Sequence, residues 1–150
     1  MFLNKEITSK LESQVEWNDT RIQDVNSHVL TGEDTVDIMG ILMDAGVFDM
    51  NPEMTSKVSQ ISCGILEENV DLHEDAAFIE EGNFYKGVLM IVLDEHPKGS
   101  LIDSPRSSYM YFNKMLKRIT AGDVLWFNAT KSHAVFPRSQ LKYMTVWFHK

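Results

Sequence analysis

Four residues of this chain have the types and spacing to do chemistry together. His73 and Asp75 stand two positions apart in Leu72-His-Glu-Asp75, His133 follows 58 positions after Asp75, and Lys142 comes nine after that. Two imidazoles and one carboxylate that leave coordination positions open are a ligand set suited to a reactive Fe(II) ion. A cation nine residues beyond the second His is placed to hold the far carboxylate of an organic acid bound to that ion.

Each part has a plainer reading when taken alone. A His-x-Asp pair also arises as a strand-end imidazole beside a solvated carboxylate. A lone strand His is more often a satisfied structural residue than a ligand, and a strand-end lysine more often snorkels to water. Order and spacing together point to a site. In a strand, residues i and i+2 share a face, so His73 and Asp75 turn the same way, and a bend after Asp75 brings its carboxylate onto the same metal. His133 arrives from a strand remote in sequence and shares a face with Val135. Alternation in Lys142–Phe148 sets Lys142, Met144, Val146 and Phe148 on one face and Tyr143, Thr145 and Trp147 on the other. A lysine heading an apolar face is costly to bury unless paired. Beside the two His residues, that assigns Lys142 to a carboxylate.

The elements that must position these residues change character along the chain. Residues 1–57 read as helical. Ile7, Leu11 and Val15 recur every four positions, and Ile38, Ile41, Leu42 and Ala45 keep helical spacing. Thr31-Gly-Glu-Asp34 resembles a capping box, Gly46 closes the second helix, and Asn51-Pro52 marks a break. From residue 58 the period shortens. Strands are expected at Val58–Leu66, Val70–His73, Gly87–Leu93, Tyr109–Phe112, Met115–Ile119, Val124–Phe127, His133–Phe136 and Lys142–Phe148. Val70 and Leu72 are set opposite Asp71 and His73. Gly87–Leu93 is apolar throughout, as in a strand covered on both faces, and Asn113-Lys114 reads as a hairpin turn. Trp126 and Trp147 sit inside strand patterns and read as core. Short strands with regular turn signals imply a sandwich or barrel. Helices first and strands afterwards imply an α+β chain whose helices pack on one outer sheet face.

Composition narrows the function classes. At 150 residues, 43% hydrophobic, the chain fits one domain over 1–150 with a substantial core. No stretch has the apolar length of a membrane span, and residues 1–15 mix Lys5, Glu6, Lys10 and Glu12 into a start that is no secretory leader. A cytoplasmic location is expected. The single cysteine, Cys63, forms no internal disulfide and reads as a small buried side chain. A net charge of -8 without a dense basic block disfavours strong phosphate-driven binding to nucleic acid.

Residues 70–148 resemble the double-stranded β-helix core (the jelly-roll or cupin-like barrel) of Fe(II)- and 2-oxoglutarate-dependent oxygenases, in the prolyl-hydroxylase-like branch. The resemblance rests on His73-Glu-Asp75, Gly122-Asp-Val-Leu-Trp-Phe127, His133-Ala-Val135, and Lys142 leading to Val146-Trp-Phe148. It implies Fe(II) held by His73, Asp75 and His133, with 2-oxoglutarate as cosubstrate and its distal carboxylate on Lys142. It implies a hydroxylase that acts on a substrate C–H bond and releases succinate and carbon dioxide. A protein or peptide side chain is the first substrate expected, with a small molecule as the alternative. The helices of residues 1–57 would buttress a β core of residues 58–150.

The chain departs from that pattern in places. Lysine stands where the branch most often has arginine, and gives a point charge instead of a bidentate fork. Arg138, beside Pro137, is the alternative cation. Where relatives carry a Tyr or Asn contact to the cosubstrate, this chain offers Ser62, Cys63 and Gly64. Residues 76–86 and 96–108 are expected to form the substrate rim, and Glu74 and Glu95 stay open as alternatives to Asp75 for the carboxylate ligand. Two other classes stay open: a cupin-like metalloprotein that needs no 2-oxoglutarate, and a non-catalytic β-barrel binding module.

Overall fold

The computed structural model describes residues 1–18, 28–30, 32–75, 87–96, 107–138 and 140–149. Helix α1 (Lys5–Ser13) begins where the Asn4 side chain accepts a hydrogen bond from the Ile7 amide, at 3.0 Å. A two-residue strand β1 (His28–Val29) precedes helix α2 (Glu33–Asp44), and a 3-10 turn covers Pro52–Lys57. Eight strands follow: β2 (Val58–Leu66), β3 (Val70–His73), β4 (Gly87–His96), β5 (Ser108–Phe112), β6 (Met115–Ile119), β7 (Val124–Asn128), β8 (His133–Phe136) and β9 (Gln140–Phe148).

The strands form two antiparallel sheets. One has the order β1-β2-β9-β4-β7, the other β3-β8-β5-β6. Alternation on the long strands sorts side chains into two cores. Leu66, Val88, Met90, Val92, Phe127, Leu141 and Tyr143 point between the sheets and meet Met110, Phe112 and Val135 of the smaller sheet. Ile61, Cys63, Leu89, Ile91, Met144, Val146 and Phe148 point the other way, onto Leu11, Ile38, Leu42 and Phe48 of the helical layer. Each large apolar side chain so buried contributes about 1.5–3 kcal/mol relative to an exposed one. Helices on one face of the larger sheet, and a β4 run covered on both faces, match the expectations from sequence. Cys63 is fully buried, and burial pushes its thiol up to about 11.

Residues 1–57 are not wholly helical. β1 interrupts them, pairing His28 with Cys63 and Val29 with Ser62 at the edge of the larger sheet. Helix α2 has Gly32 at its N-cap, which leaves no side-chain cap bond, and Thr31 lies outside the described residues. The hairpin between β5 and β6 turns as expected at Asn113 and Lys114, whose φ angles of 50° and 61° suit the tight primed turn of a twisted hairpin.

The N-terminal segment is stitched to the β core through Gly122. The Leu3 amide donates to the Gly122 carbonyl at 2.7 Å, and the Gly122 amide donates to the Val92 carbonyl at 2.8 Å. Gly122 has φ +102°, and a Cβ there would run into the Leu3 carbonyl oxygen and the Phe2 ring. Gly122→Ala is therefore expected to lower stability by about 2–4 kcal/mol in urea unfolding, with no change in m-value.

Candidate metal centre

The structure brings His73, Asp75 and His133 together. Their nearest ligand atoms all lie within 4.8 Å of one another. His73 Nε2 is 3.3 Å from Asp75 Oδ1, His133 Nε2 is 3.3 Å from Asp75 Oδ2, and the two imidazole centroids are 4.2 Å apart.

Local pairing produces this convergence. Strand β3 lies antiparallel to β8, with Val70 across from Val135 and His73 across from His133. Those pairs differ by one residue in register, so a bulge falls between them. Without it, strict alternation would turn Val70 and His73 to opposite faces, which is the arrangement expected from sequence. With it, both line the same cavity, and Leu72 is left exposed. Asp75 follows the strand end and is anchored by its amide, which donates to the Ala129 carbonyl at 2.8 Å. Glu74 does not compete: its carboxylate accepts from Ser132 Oγ at 3.3 Å. Glu95 accepts from Ser108 Oγ at 2.9 Å.

Both imidazoles are oriented by the same device. Nδ1 of His73 lies 2.8 Å from the Asp71 carbonyl oxygen, and Nδ1 of His133 lies 2.8 Å from the Lys131 carbonyl oxygen. A carbonyl only accepts, so each Nδ1 carries a proton and donates it. Each neutral ring then turns the lone pair of Nε2 toward Asp75. Two nitrogen lone pairs and a carboxylate aimed at one another repel unless protons or a cation lie between them. The donor set therefore fits a divalent metal ion. Burial opposes charge on His133, but its bond to Asp75, the Lys131 carbonyl and the charges of Asp75 and Glu74 together raise its pKa above the ordinary imidazole value.

The triad opens into a cavity of about 270 Å3 between the sheets. Leu66, Val70, Met90, Met110, Phe127, Val135 and Trp147 give it apolar walls, and Ser62, Tyr143 and Thr145 add hydroxyls. Trp147, expected as core alone, therefore also faces the cavity. The hydroxyl lining was partly foreseeable, because Tyr143 and Thr145 alternate with Lys142, and only the choice of inward face was open.

That choice went the other way for Lys142. It shares its strand face with Met144, Val146 and Phe148, which pack under the helices, and is absent from the described cavity lining. Its Nζ is 2.7 Å from Glu12 Oε1 of α1 and 5.2 Å from the centre of the Trp17 ring. The reason is parity. A side chain one position from Tyr143 faces away from it, and the larger sheet already turns Leu141, Tyr143 and Thr145 inward. Arg138 is also absent from the described lining. A larger groove of about 640 Å3 lies beside Lys142, Trp17, Gln140 and Glu67 and contains none of the triad. The expected rim segments, 76–86 and most of 96–108, lie outside the described residues, and β4 extends through His96.

Comparison with solved structures identifies the architecture. A prolyl-4-hydroxylase from Pseudomonas putida matches at a TM-score of 0.59 and 15% identity, over 99% of this chain and 84% of that one. A prolyl hydroxylase from Trichoplax adhaerens, solved with a hypoxia inducible factor oxygen degradation domain peptide fragment, matches at a TM-score of 0.61 and 14% identity, over 99% and 80%. The chain is a double-stranded β-helix. At such identities the likeness shows the fold alone. No protein-family model matches the chain, and no curated protein matches it. Among the described residues, no helix is long and apolar enough to cross a membrane.

Lys142→Met is expected to cost about 1–3 kcal/mol of stability, because it strands a half-buried Glu12. It should leave divalent-metal affinity within about twofold, whereas His133→Ala should weaken that affinity by about a hundredfold or more. Thermal unfolding and calorimetric Mn(II) titration measure the two effects separately.

Proposed function

We propose that this protein is a mononuclear non-haem iron dioxygenase that uses 2-oxoglutarate to hydroxylate a substrate C–H bond. The observation that carries this reading is the tautomer-locked triad. Two Nε2 lone pairs and one carboxylate converge, with both Nδ1 protons committed to backbone carbonyls. His73, Asp75 and His133 would hold Fe(II) and leave positions open for cosubstrate and oxygen. When bound, the iron supplies the oxygen activation that couples decarboxylation of the 2-oxo acid to hydroxylation.

The chain's own contribution is orientation and dryness. The Asp71 and Lys131 carbonyls fix the imidazoles, and the Ala129 carbonyl fixes the backbone at Asp75. Met90, Met110, Phe127 and Val135 wall the cavity with groups that hold no water. A protein or peptide side chain is the first substrate class. The support is fold-level analogy, from the peptide carried by the Trichoplax adhaerens prolyl hydroxylase.

A second reading has one observation in its favour. Lys142, the cation expected for the distal carboxylate, is committed to Glu12. A metalloprotein of the same fold that takes no 2-oxo acid needs no such cation.

Anaerobic titration of Fe(II) into the purified protein, with and without 2-oxoglutarate, separates the readings. The proposal expects a visible metal-to-ligand charge-transfer band only when both are present. Iron binding without the band favours the second reading. Folded protein that takes no iron contradicts both.

A further inference from the structure

We infer that Ser62 and Thr145 form a neutral hydroxyl subsite that receives an acceptor oxygen of the small organic acid bound at the triad. The inference rests on the proposed metal and cosubstrate reading, and specifies which of this chain's residues recognise the acid.

Strands β2 and β9 pair so that Ser62 lies directly across from Thr145. Both residues line the cavity that holds His73, Asp75 and His133. Ser62 is 4% exposed and Thr145 8%. Neither side-chain hydroxyl has a hydrogen-bond partner among the described residues. Buried polar groups are almost always paired. Two unpaired hydroxyls side by side in one apolar-walled cavity therefore mark a place where a ligand supplies the partner.

The chemistry of that ligand follows from the walls. A hydroxyl donates readily to a carboxylate or carbonyl oxygen. Met90, paired with Thr145 on its other side, and the nearby Phe127 and Trp147 present no charge. Tyr143 adds a third hydroxyl to the lining, and burial, with a smaller contribution from Cys63, pushes its pKa up, so it stays protonated. At about 270 Å3 the cavity lies at the small end for ligand pockets, so it suits a cosubstrate and not a peptide. The ligand class is a small 2-oxo acid, chelating the metal with one end and accepting from Ser62 and Thr145 with another oxygen. Lys142, on the far face of β9, takes no part.

The test is calorimetric titration of 2-oxoglutarate into Mn(II)-loaded protein. It compares wild type, Lys142→Met, and the double variant Ser62→Ala, Thr145→Val. The double variant should bind 2-oxoglutarate about tenfold or more weakly while holding Mn(II) within about twofold of wild type. Its ligand-free thermal midpoint should be unchanged or higher, because the substitutions remove unpaired buried hydroxyls, whereas hydroxyls with a purely structural role would lower it on removal. Lys142→Met should keep 2-oxoglutarate affinity within about twofold. If the double variant binds 2-oxoglutarate like wild type, or if Lys142→Met alone abolishes binding, the subsite is overturned. Wild-type protein that takes Mn(II) but no 2-oxoglutarate overturns the cosubstrate reading, and the subsite with it.

Discussion

The centre of this molecule depends on a one-residue shift in the pairing of β3 with β8. His73 sits across from His133 because a bulge separates that pair from Val70 and Val135. Side chains alternate with a period of two, so a one-residue slip reverses every face beyond it. The bulge turns His73 inward although Val70, three positions earlier, also points inward. Beyond the strand end, the Ala129 carbonyl accepts a hydrogen bond from the Asp75 amide. Bulges recur near functional sites for this reason: they re-aim a side chain that regular pairing would send to solvent.

Around that centre, the two faces of the larger sheet do different work. The inward face supplies Ser62, Tyr143, Thr145 and Trp147 to the cavity. The outward face rests on the helical layer, where the Trp126 and Phe148 rings stack at 5.5 Å and Phe48 meets both edge-on. Lys142 belongs to this outer layer. Its pair with Glu12, and the Trp17 indole that donates to the Glu12 carbonyl at 2.9 Å, fasten the end of α1 to β9. A lysine heading an apolar strand face needs a partner when half-buried. The partner is a helix carboxylate belonging to the protein itself.

Much of the fold was legible because its signals are local. The bounds of β2, β3, β6 and β8 coincide with the apolar runs and turn residues that mark them. The Asn113-Lys114 turn follows from the tolerance of Asn113 for positive φ between two strand patterns. The convergence of His73, Asp75 and His133 was foreshadowed by their order and spacing. What escaped was parity and pairing between distant segments. No local signal shows a bulge between Val70 and His73, and nothing in Lys142–Phe148 tells which face meets the helices. β1 was missed because two residues carry no period; it exists because the edge of β2 offers it partners.

In the proposed centre, His73, Asp75 and His133 form one metal site whose imidazoles present Nε2. Anomalous diffraction from crystals of the Mn(II)-loaded protein would locate the ion. The expected result is a single strong peak at about 2.0–2.3 Å from both Nε2 atoms and one Asp75 oxygen, with both Nδ1–carbonyl hydrogen bonds intact. A peak bound elsewhere, or coordination through Nδ1 with those carbonyl bonds broken, would contradict it.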